Sequence, residues 1–279
     1  MTMKIAVLMT VHNRRDKTLK CLEGLKSQIL SDSLIVDIYI TDDGSTDGTD
    51  MAIRERYPDV KILSGDGSLF WNRGMRKAWV EAAKHDEYDC FLWLNDDTYL
   101  FDDTLSVFIN CSVQIGQKGI IIGATTNNSR SEVTYGGMKD GRLLSPDGTL
   151  QDCTTFNGNV VLVSRHAFEQ IGFLDPYYVH AIGDIDYGLM ARTKGVRCVL
   201  TPKYIGICEK NPRLPDWVCP DIPFSRRWKN FHSPLGYGEP RAFFHFNRKH
   251  FGIIKALNVY IRNHIRLFFP SLWNRIIIR

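Results

Sequence analysis

The stretch Phe91-Leu-Trp-Leu-Asn-Asp-Asp-Thr98 decides the fold, because it joins a short apolar run to two adjacent carboxylates. Four apolar residues are too few for a helix, so they predict a buried strand that ends at Asn95. In open α/β sheets, ligands bind outside the carboxyl ends of the strands. Two neighbouring aspartates repel each other, and the pattern therefore indicates a bound cation. The alternative is an acidic turn that caps the next helix.

Strand-like and helix-like patterns alternate through the first half of the chain. Strands are predicted at residues 5–10, 34–41, 60–63 and 90–94, and helices at about 14–28, 47–56, 71–84 and 104–114. The spacing in Asn13-Arg-Arg-Asp16 predicts an N-cap followed by a capping acid, and Asp47 predicts a second cap. This alternation is typical of a doubly wound, mostly parallel α/β sheet.

The pattern loosens from about residue 119. Strands are predicted at 120–124, 132–135, 160–163 and 204–208, a hairpin turn at 139–142, and helices at 165–171 (capped by Ser164 and ended by Gly172) and 184–194. We therefore expect residues 1–118 to form one half of a domain and 119–210 a mixed second layer of the same domain. Residues 211–279 would be a lid or linker followed by a C-terminal helical tail.

Composition narrows the class of protein further. A chain of 279 residues with 44% hydrophobic content can bury a large core. Seven cysteines without a CxxC pair predict reduced thiols and a cytoplasmic setting, and neither a signal peptide nor a membrane span is expected. Residues 241–279 hold eight Lys or Arg and no acid, whereas residues 1–240 are slightly acidic. This asymmetry argues against nucleic-acid binding and predicts an anionic partner for the tail.

Polar residues recur at the predicted strand and helix ends, in Thr10-Val-His-Asn13, at Asp42, at Asp96-Asp97 and in Gly183-Asp-Ile-Asp186. No GxGxxG follows the first strand and no Walker loop is present, which disfavours dehydrogenases and P-loop enzymes. Asp42-Asp43-Gly44 has the wrong register for a phosphatase nucleophile.

Taken together, these segments resemble the inverting GT-A glycosyltransferases of family 2, which build polysaccharide and lipopolysaccharide linkages from nucleotide sugars. The resemblance covers roughly residues 3–200. Its other parts are Thr41-Asp-Asp-Gly-Ser-Thr-Asp-Gly-Thr49 and the run from Asn157 to Asp175. The segment Gly65-Asp-Gly-Ser-Leu-Phe-Trp-Asn-Arg-Gly74 is most similar to the branch that contains bacterial rhamnosyltransferases. The resemblance implies a GT-A-type fold.

The resemblance also implies a nucleotide site. Asp42 would accept a hydrogen bond from the ring N–H of a pyrimidine base, since a carboxylate accepts and cannot donate. The alternative is a turn acid that binds backbone N–H groups. Other residues matching nucleotide positions are Thr10, His12 and Asn13 near the base and ribose, Gly65, Gly67 and Arg73 near the diphosphate, and Asp96 near the ribose. Two alternatives stay open: His12 could be an ordinary strand-end histidine, and Arg73 could be a solvated helix residue.

Catalytic residues follow from the same resemblance. Asp97, with Asp96, would bind Mg²⁺ or Mn²⁺, and Asp184 would be the general base that deprotonates the acceptor. The family often has Glu-Asp where this chain has Gly183-Asp184, so Asp186 remains an alternative base, and Asp184 could instead be a helix N-cap. The sugar or acceptor pocket would include Trp71, Asn157, Gly158, Asn159 and Asp186. Where many relatives have a histidine, this chain has Cys208.

The tail places apolar residues at helical spacing between basic ones over residues 248–269. It predicts an amphipathic helix on an anionic membrane, with contact through 248–279, or else a helix packed on the body or on a second subunit. We expect a metal-dependent enzyme at the inner face of the cell membrane that transfers a sugar from UDP or dTDP to a glycan or lipid-linked acceptor. The alternatives are a catalytically weak glycan- or nucleotide-binding scaffold at the membrane and a sugar-nucleotide nucleotidyltransferase. A homodimer is compatible with each of these functions.

Overall fold

A computed structural model describes residues 2–28, 34–85, 87–210 and 214–277 of the chain, with side chains as far as residue 273. Within these ranges the strands are β1 (Met3–Val11), β2 (Leu34–Asp42), β3 (Lys61–Ser64), β4 (Cys90–Leu94), β5 (Tyr99–Leu100), β6 (Ile120–Thr126), β7 (Gly137–Lys139), β8 (Arg142–Leu143), β9 (Gln151–Asp152), β10 (Thr155–Phe156), β11 (Val160–Ser164) and β12 (Cys198–Ile207). The helices are α1 (Arg15–Lys26), α2 (Thr49–Arg56), α3 (Phe70–His85), α4 (Thr104–Gln114), α5 (Arg165–Ile171), α6 (Gly183–Thr193), α7 (Phe224–Phe231), α8 (Pro240–Phe251), α9 (Ile253–Phe268) and α10 (Pro270–Ile277).

The central sheet runs in the order β3-β2-β1-β4-β11-β6-β12-β5, and β9 pairs with β12 beside this path. The first four strands are parallel, as predicted. β11 is antiparallel to both of its neighbours, β4 and β6. A separate sheet of three short antiparallel strands contains β10, β7 and β8, and its β7–β8 turn is the predicted hairpin at 139–142.

The sheet has an apolar core on each face, which is the property of a doubly wound fold. Along β1, Ile5 and Val7 belong to the cluster under α1 and α4, whereas Ala6 and Leu8 belong to the cluster under α3 and α6. Side chains alternate across a strand, so a continuous apolar strand must be covered on both faces. Trp79 of α3 is fully buried in the second cluster.

Three local predictions are wrong. Asp47 is not the N-cap of α2, because Gly48 occupies that position, and Asp47 Oδ1 instead accepts a 3.1 Å hydrogen bond from the N–H of Thr49. Asn13 is not the N-cap of α1, which begins at Arg15, because the side chain of Asn13 accepts a 2.7 Å hydrogen bond from the backbone N–H of Thr46 instead. Residues 132–135 do not form a strand and make a single bridge, Thr126 to Val133. There the Thr126 hydroxyl donates to the carbonyl of Glu132 and holds the segment as an irregular loop.

The chain divides into two compact units. The first contains Met1–Pro176 and Asp184–Lys210, and therefore the whole central sheet. The second contains Tyr177–Gly183 and Asn211–Arg279 and is helical. The second unit has its own small core, in which the fully buried side chains of Phe231 and Leu267 pack together.

The predicted helix over 248–269 is interrupted. α8 ends at Phe251 and α9 starts at Ile253, because Gly252 adopts a φ of +85°, which lies in the left-handed region that glycine favours. α9 buries Ala256 and Leu267, half-buries Val259 and leaves its other apolar side chains exposed, up to 82% for Ile254. Among the described residues, no helix is long and apolar enough to cross a membrane. Residues 278 and 279 of the predicted membrane contact lie outside the described ranges.

Candidate active site

The antiparallel strand β11 brings two separate polar loops to one edge of the sheet. Val160 at the start of β11 pairs with Leu94 at the end of β4. The residues before β11 therefore lie beside the residues after β4, and the backbone N–H of Asn95 donates a 2.9 Å hydrogen bond to the carbonyl of Asn159. In this way residues 157–159 meet the acids at 96–97, although some sixty positions separate them in the sequence.

Asp184 contacts this loop directly. The backbone N–H of Gly158 donates to Asp184 Oδ2 at 2.8 Å, and the N–H of Ile185 donates to Oδ1 at 2.9 Å. Burial raises the pKa of Asp184, and these two hydrogen bonds oppose the rise. Asp184 is the second residue of α6 and not its N-cap. Asp186, the alternative base, is buried two residues further on.

Trp71 forms the wall next to Asp184. Its indole Nε1 donates to the side-chain oxygen of Asn95 at 2.7 Å, and its ring packs edge-on against Trp93. A Cβ atom at position 158 would lie 2.5 Å from the Trp71 ring and 3.2 Å from the Cβ of Asp184. Glycine is therefore required at 158 for the ring and the carboxylate to approach this closely.

The two carboxylates after β4, Asp96 and Asp97, differ in their exposure to solvent. Asp96 is almost fully buried, whereas the side chain of Asp97 is 31% exposed. A single guanidinium nitrogen, Nη1 of Arg14, lies 3.0 Å from Asp96 Oδ1 and 2.8 Å from Asp97 Oδ2. Burial raises the pKa of Asp96 to about 6, and the charge of Arg14 offsets only part of that effect.

Cys208 completes the surroundings of Asp97. Ile207 at the end of β12 pairs with Tyr99, which places Cys208 Sγ 3.8 Å from Asp97 Oδ1. The side-chain amide of Asn159 donates to the same sulfur at 3.4 Å. Burial raises the pKa of Cys208 to about 12, so the group beside Asp97 is a neutral thiol. Asp97 and Asp184 are thus joined through Cys208, Asn159 and Gly158.

The acid pair fits a hard divalent ion. Mg²⁺ and Mn²⁺ prefer oxygen ligands, and Mg²⁺ typically uses one or two protein carboxylates together with substrate phosphates. Asp96 Oδ2 is buried and, within the described residues, has no hydrogen-bond partner, so it is an oxygen that a ligand could satisfy. No cluster of three or more His, Cys, Asp or Glu side chains suited to a metal occurs in the described part of the chain. Any metal here would therefore depend on the substrate for most of its ligands.

The loops after β1 and β2 are tied to each other. Asp42 is buried, and its Oδ1 accepts a 2.9 Å hydrogen bond from the N–H of Ser45. His12 Nδ1 lies 2.7 Å from the carbonyl of Asp43, and its Nε2 lies 3.2 Å from the amide nitrogen of Asn13. A carbonyl only accepts and an amide nitrogen only donates, so these contacts assign the histidine proton to Nδ1.

Asp43 organises the next loop and was not among the predicted site residues. Its Oδ1 accepts from the N–H of Gly67 at 2.9 Å, and its Oδ2 accepts from the N–H of Phe70 at 2.8 Å. A Cβ atom on Gly65 would lie 2.5 Å from the same carboxylate. Asp43 therefore holds the glycine loop against the end of β2.

The remaining predicted residues have mixed surroundings. Thr10 packs against Gly74 of α3, where a Cβ atom would overlap its hydroxyl. Arg73 Nε donates to the carbonyl of Pro176 at 3.0 Å. Asn157 Oδ1 accepts a long, 3.5 Å bond from the N–H of Gly136.

No role was assigned from the sequence to Arg14 and Asn95, which both contact the site. Only the position of Arg14, directly after the strand-end motif, could have indicated one.

Comparison with known proteins identifies the family. Residues 6–171 match the model of glycosyl transferase family 2. No curated protein shows a significant match to the chain.

Solved structures share the fold at low identity. The mannosyltransferase PcManGT from Pyrobaculum calidifontis, in complex with GDP-Man and Mn²⁺, has a TM-score of 0.55 and 16% identity, over 94% of this chain and 74% of the other. S. aureus TarS 1–349 in complex with UDP-GlcNAc has a TM-score of 0.58 and 15% identity, over 97% and 88%. The chain spans 53% of a longer S. aureus TarS structure. These similarities confirm the predicted GT-A-type α/β fold. Because the family match covers more than half of its length, the chain belongs to glycosyl transferase family 2 and is a glycosyltransferase.

Proposed function

We propose that the protein transfers a sugar with inversion from a UDP- or dTDP-sugar to a glycan or lipid-linked saccharide acceptor, in cell-surface polysaccharide synthesis, and depends on Mg²⁺ or Mn²⁺. The observation that carries the proposal is the connection of Asp97 to Asp184 through Cys208, Asn159 and Gly158. One loop thereby places a candidate metal ligand and a candidate base at the same sheet edge. Residues 1–118 would bind the donor, and residues 119–210 would supply the base and the acceptor pocket.

Asp184 is proposed as the general base. Its carboxylate would take the proton of an acceptor hydroxyl while that oxygen attacks the anomeric carbon from the face opposite the leaving nucleotide. Burial that raises the pKa of Asp184 makes the carboxylate a stronger base than an exposed aspartate. The hydrogen bonds from Gly158 and Ile185 fix both of its oxygens. Trp71, packed on Gly158, would form one wall of the sugar pocket.

Asp97 and Asp96 are proposed to hold the divalent ion. A bound ion would supply stabilisation of the negative charge on the departing nucleoside diphosphate. Asp97 would offer the more exposed carboxylate, and Asp96 would add its buried Oδ2, which has no hydrogen-bond partner among the described residues. The Mn²⁺ in the PcManGT complex supports this assignment at the level of the fold.

Asp42 is proposed to bind the pyrimidine base of the donor nucleotide. The structural neighbours were solved with either GDP-Man or UDP-GlcNAc, so the fold itself leaves the nucleotide open. A carboxylate has about four lone-pair positions, and the bond from Ser45 leaves Asp42 able to accept the imide N–H of uracil or thymine. Thr10, His12 and Asn13 would surround the base and ribose. Gly65, Gly67 and Arg73 would lie at the diphosphate.

We also propose that the tail contacts a membrane at its anionic inner face. The apolar face of α9 is exposed at Ile254, Leu257 and Ile261. Basic residues flank this face, and the chain from residue 241 onward contains no acid. Apolar side chains combined with basic charge are the features of a helix that lies in a bilayer interface. Such a position would bring the enzyme to a lipid-linked acceptor.

The direct test is a donor panel. UDP-, dTDP- and GDP-sugars are scored for thermal stabilisation with Mn²⁺, with Mg²⁺ and with EDTA, and the stabilising donors are then assayed for transfer. We expect stabilisation by UDP- or dTDP-sugars only when the metal is present, and its loss in Asp97→Ala. Stabilisation by GDP-sugars alone would contradict the role of Asp42. Full stabilisation in EDTA would contradict the metal.

A further inference from the structure

We propose that Arg14 is a built-in counter-cation of the Asp96–Asp97 pair and that it competes with a divalent ion for the negative charge of these two carboxylates. Arg14 would then set the metal affinity of the site from within the protein. The inference rests on the proposed metal site and adds to it a residue that competes with the metal.

The contact geometry supports competition. One nitrogen of Arg14, Nη1, lies within 3.0 Å of an oxygen from each of the two carboxylates. That nitrogen therefore lies between the same two side chains that are proposed to hold the ion. A guanidinium and a divalent ion in contact with the same pair of carboxylates would repel each other strongly in a partly buried site. Arg14 contacts Asp96 Oδ1 and Asp97 Oδ2, whereas Asp96 Oδ2 has no hydrogen-bond partner among the described residues. The competition therefore acts through charge repulsion, which favours movement of Arg14 away from the pair when the ion binds.

The backbone and side chain of Arg14 differ in how firmly they are held. Its neighbour Asn13 is fixed by hydrogen bonds to Ser45 and Thr46, at 2.9 Å and 2.7 Å. The side chain of Arg14, in contrast, is 44% exposed. It also borders an open depression of about 490 Å³, which Arg15, Lys17 and Asp47 help to line. A displaced guanidinium therefore has solvent-filled space to enter without any change in the backbone.

The charges explain why such a residue is useful. Asp96 is buried, and two adjacent carboxylates without a cation are unfavourable. Arg14 supplies one positive charge against two negative ones, so it stabilises the metal-free site incompletely. The metal ion then replaces a cation of lower charge at two carboxylates whose negative charge Arg14 neutralises only in part.

The test compares Arg14→Gln with wild type and with a matched control. Arg15→Gln serves as the control, because Arg15 pairs with exposed Asp16 at 3.0 Å and has no described contact with the acid pair. Mn²⁺ binding to the 279-residue protein is measured both without nucleotide and with UDP at a fixed concentration, by calorimetry and by the paramagnetic resonance signal of free Mn²⁺. We expect Arg14→Gln to bind Mn²⁺ about tenfold more tightly. Arg15→Gln should match wild type within about twofold. Arg14→Lys, which keeps the charge, should stay close to wild type.

Thermal melting in EDTA provides a second measurement that does not depend on affinity. Arg14→Gln should melt below wild type in EDTA and gain more from Mn²⁺ than wild type does. Equal or weaker Mn²⁺ binding by Arg14→Gln, with wild-type binding intact, would overturn the role of Arg14 and leave the metal site standing. If neither protein binds Mn²⁺, even with UDP present, both the metal site and the displacement by metal are wrong.

Discussion

The backbone N–H of Gly158 donates a 2.8 Å hydrogen bond directly to the carboxylate of Asp184. This bond links the loop before β11 to the first turn of α6. It leaves Asp184 with a fixed orientation and a raised pKa, because burial outweighs the two hydrogen bonds that the carboxylate accepts. Asp184, the loop at residues 157–159 and the Trp71 side chain therefore form one packed assembly.

Gly158→Ala should disrupt this assembly. The added Cβ would lie 2.5 Å from the Trp71 ring, so either the ring or the loop must move. We expect a loss of about 1–3 kcal/mol in the free energy of unfolding, and a larger proportional loss of transferase activity. Gly24→Ala is the matched control. Its Cβ meets only ordinary contacts at 3.7 Å, in the interior of α1, and should stabilise the protein by about 0.5–1 kcal/mol. Equal effects of the two substitutions on urea unfolding would contradict the packing described.

Asp184→Asn should lower kcat by about 10²–10⁴ while donor binding is retained, because the amide keeps the shape but cannot accept the proton. Thermal stabilisation by the donor and metal provides the binding measurement. Asp186→Asn, two residues along the same helix, should keep more activity than Asp184→Asn. The reverse order would identify Asp186 as the base.

The pH profile of wild type carries a further expectation for Asp184. Its pKa is raised above the ordinary value of 3.8, so the carboxylate is protonated at a higher pH than an exposed aspartate. The acidic limb of kcat/KM should accordingly lie above pH 3.8. Asp184→Asn should abolish that limb together with the activity. An acidic limb at the ordinary position, or one that persists in the residual activity of the variant, would argue against the assignment.

Asp96 should make the metal-free protein less stable as the pH rises. Its pKa is about 6 in the folded chain against an ordinary 3.8, so the folded state binds more protons than the unfolded state between these values. The free energy of unfolding in EDTA should therefore fall as the pH rises from about 4 to about 7, by at most about 3 kcal/mol from this group. Asp96→Asn should remove that part of the slope. Urea titrations at several pH values measure it, and an unchanged slope would show that Asp96 is not the group responsible.

Charge on the exposed face of α9 should weaken membrane binding. Ile254→Glu combined with Ile261→Glu places two acids where side chains that are 82% and 55% exposed face solvent. We expect at least a tenfold loss of binding to vesicles that contain anionic phospholipid, and no binding of wild type to neutral phosphatidylcholine vesicles. Met51→Glu is the control, since Met51 is 74% exposed on α2. Vesicle binding that survives the double substitution would favour the alternative, a face that packs on protein.

Elements with a clear apolar pattern were predicted to the residue. The bounds of β4 and α4 agree with the predicted 90–94 and 104–114. β4 is an apolar run buried on both faces of the sheet, and α4 has an apolar face that packs on the sheet, so in both cases the pattern reflects burial along the whole element. The family resemblance likewise identified loops that the structure brings together, including Gly158 with Asp184.

Predictions failed where a distant partner competes with a local pattern. Asn13 has the spacing of an N-cap, but the loop after β2 offers its side chain the N–H of Thr46. Arg14 and Asp43 were missed for the same reason, because their partners lie 82 and 24 or more positions away. The break at Gly252 is local and could have been expected, since a lone glycine ends many helices.

The reversed direction of β11 has a consequence for how this enzyme could be modified. The pairing of β11 with β4 fixes residues 157–159 beside Asp96 and Asp97. The segment from residue 127 to 156 therefore lies between β6 and β11, which are both paired within the central sheet. Phe156 and the pairing of β9 with β12 tie the end of this segment to the core, whereas the turn between β7 and β8 lies outside the central sheet. Insertions at that turn should therefore leave residues 157–159 beside Asp96 and Asp97, which makes it the point at which hybrid enzymes are best joined.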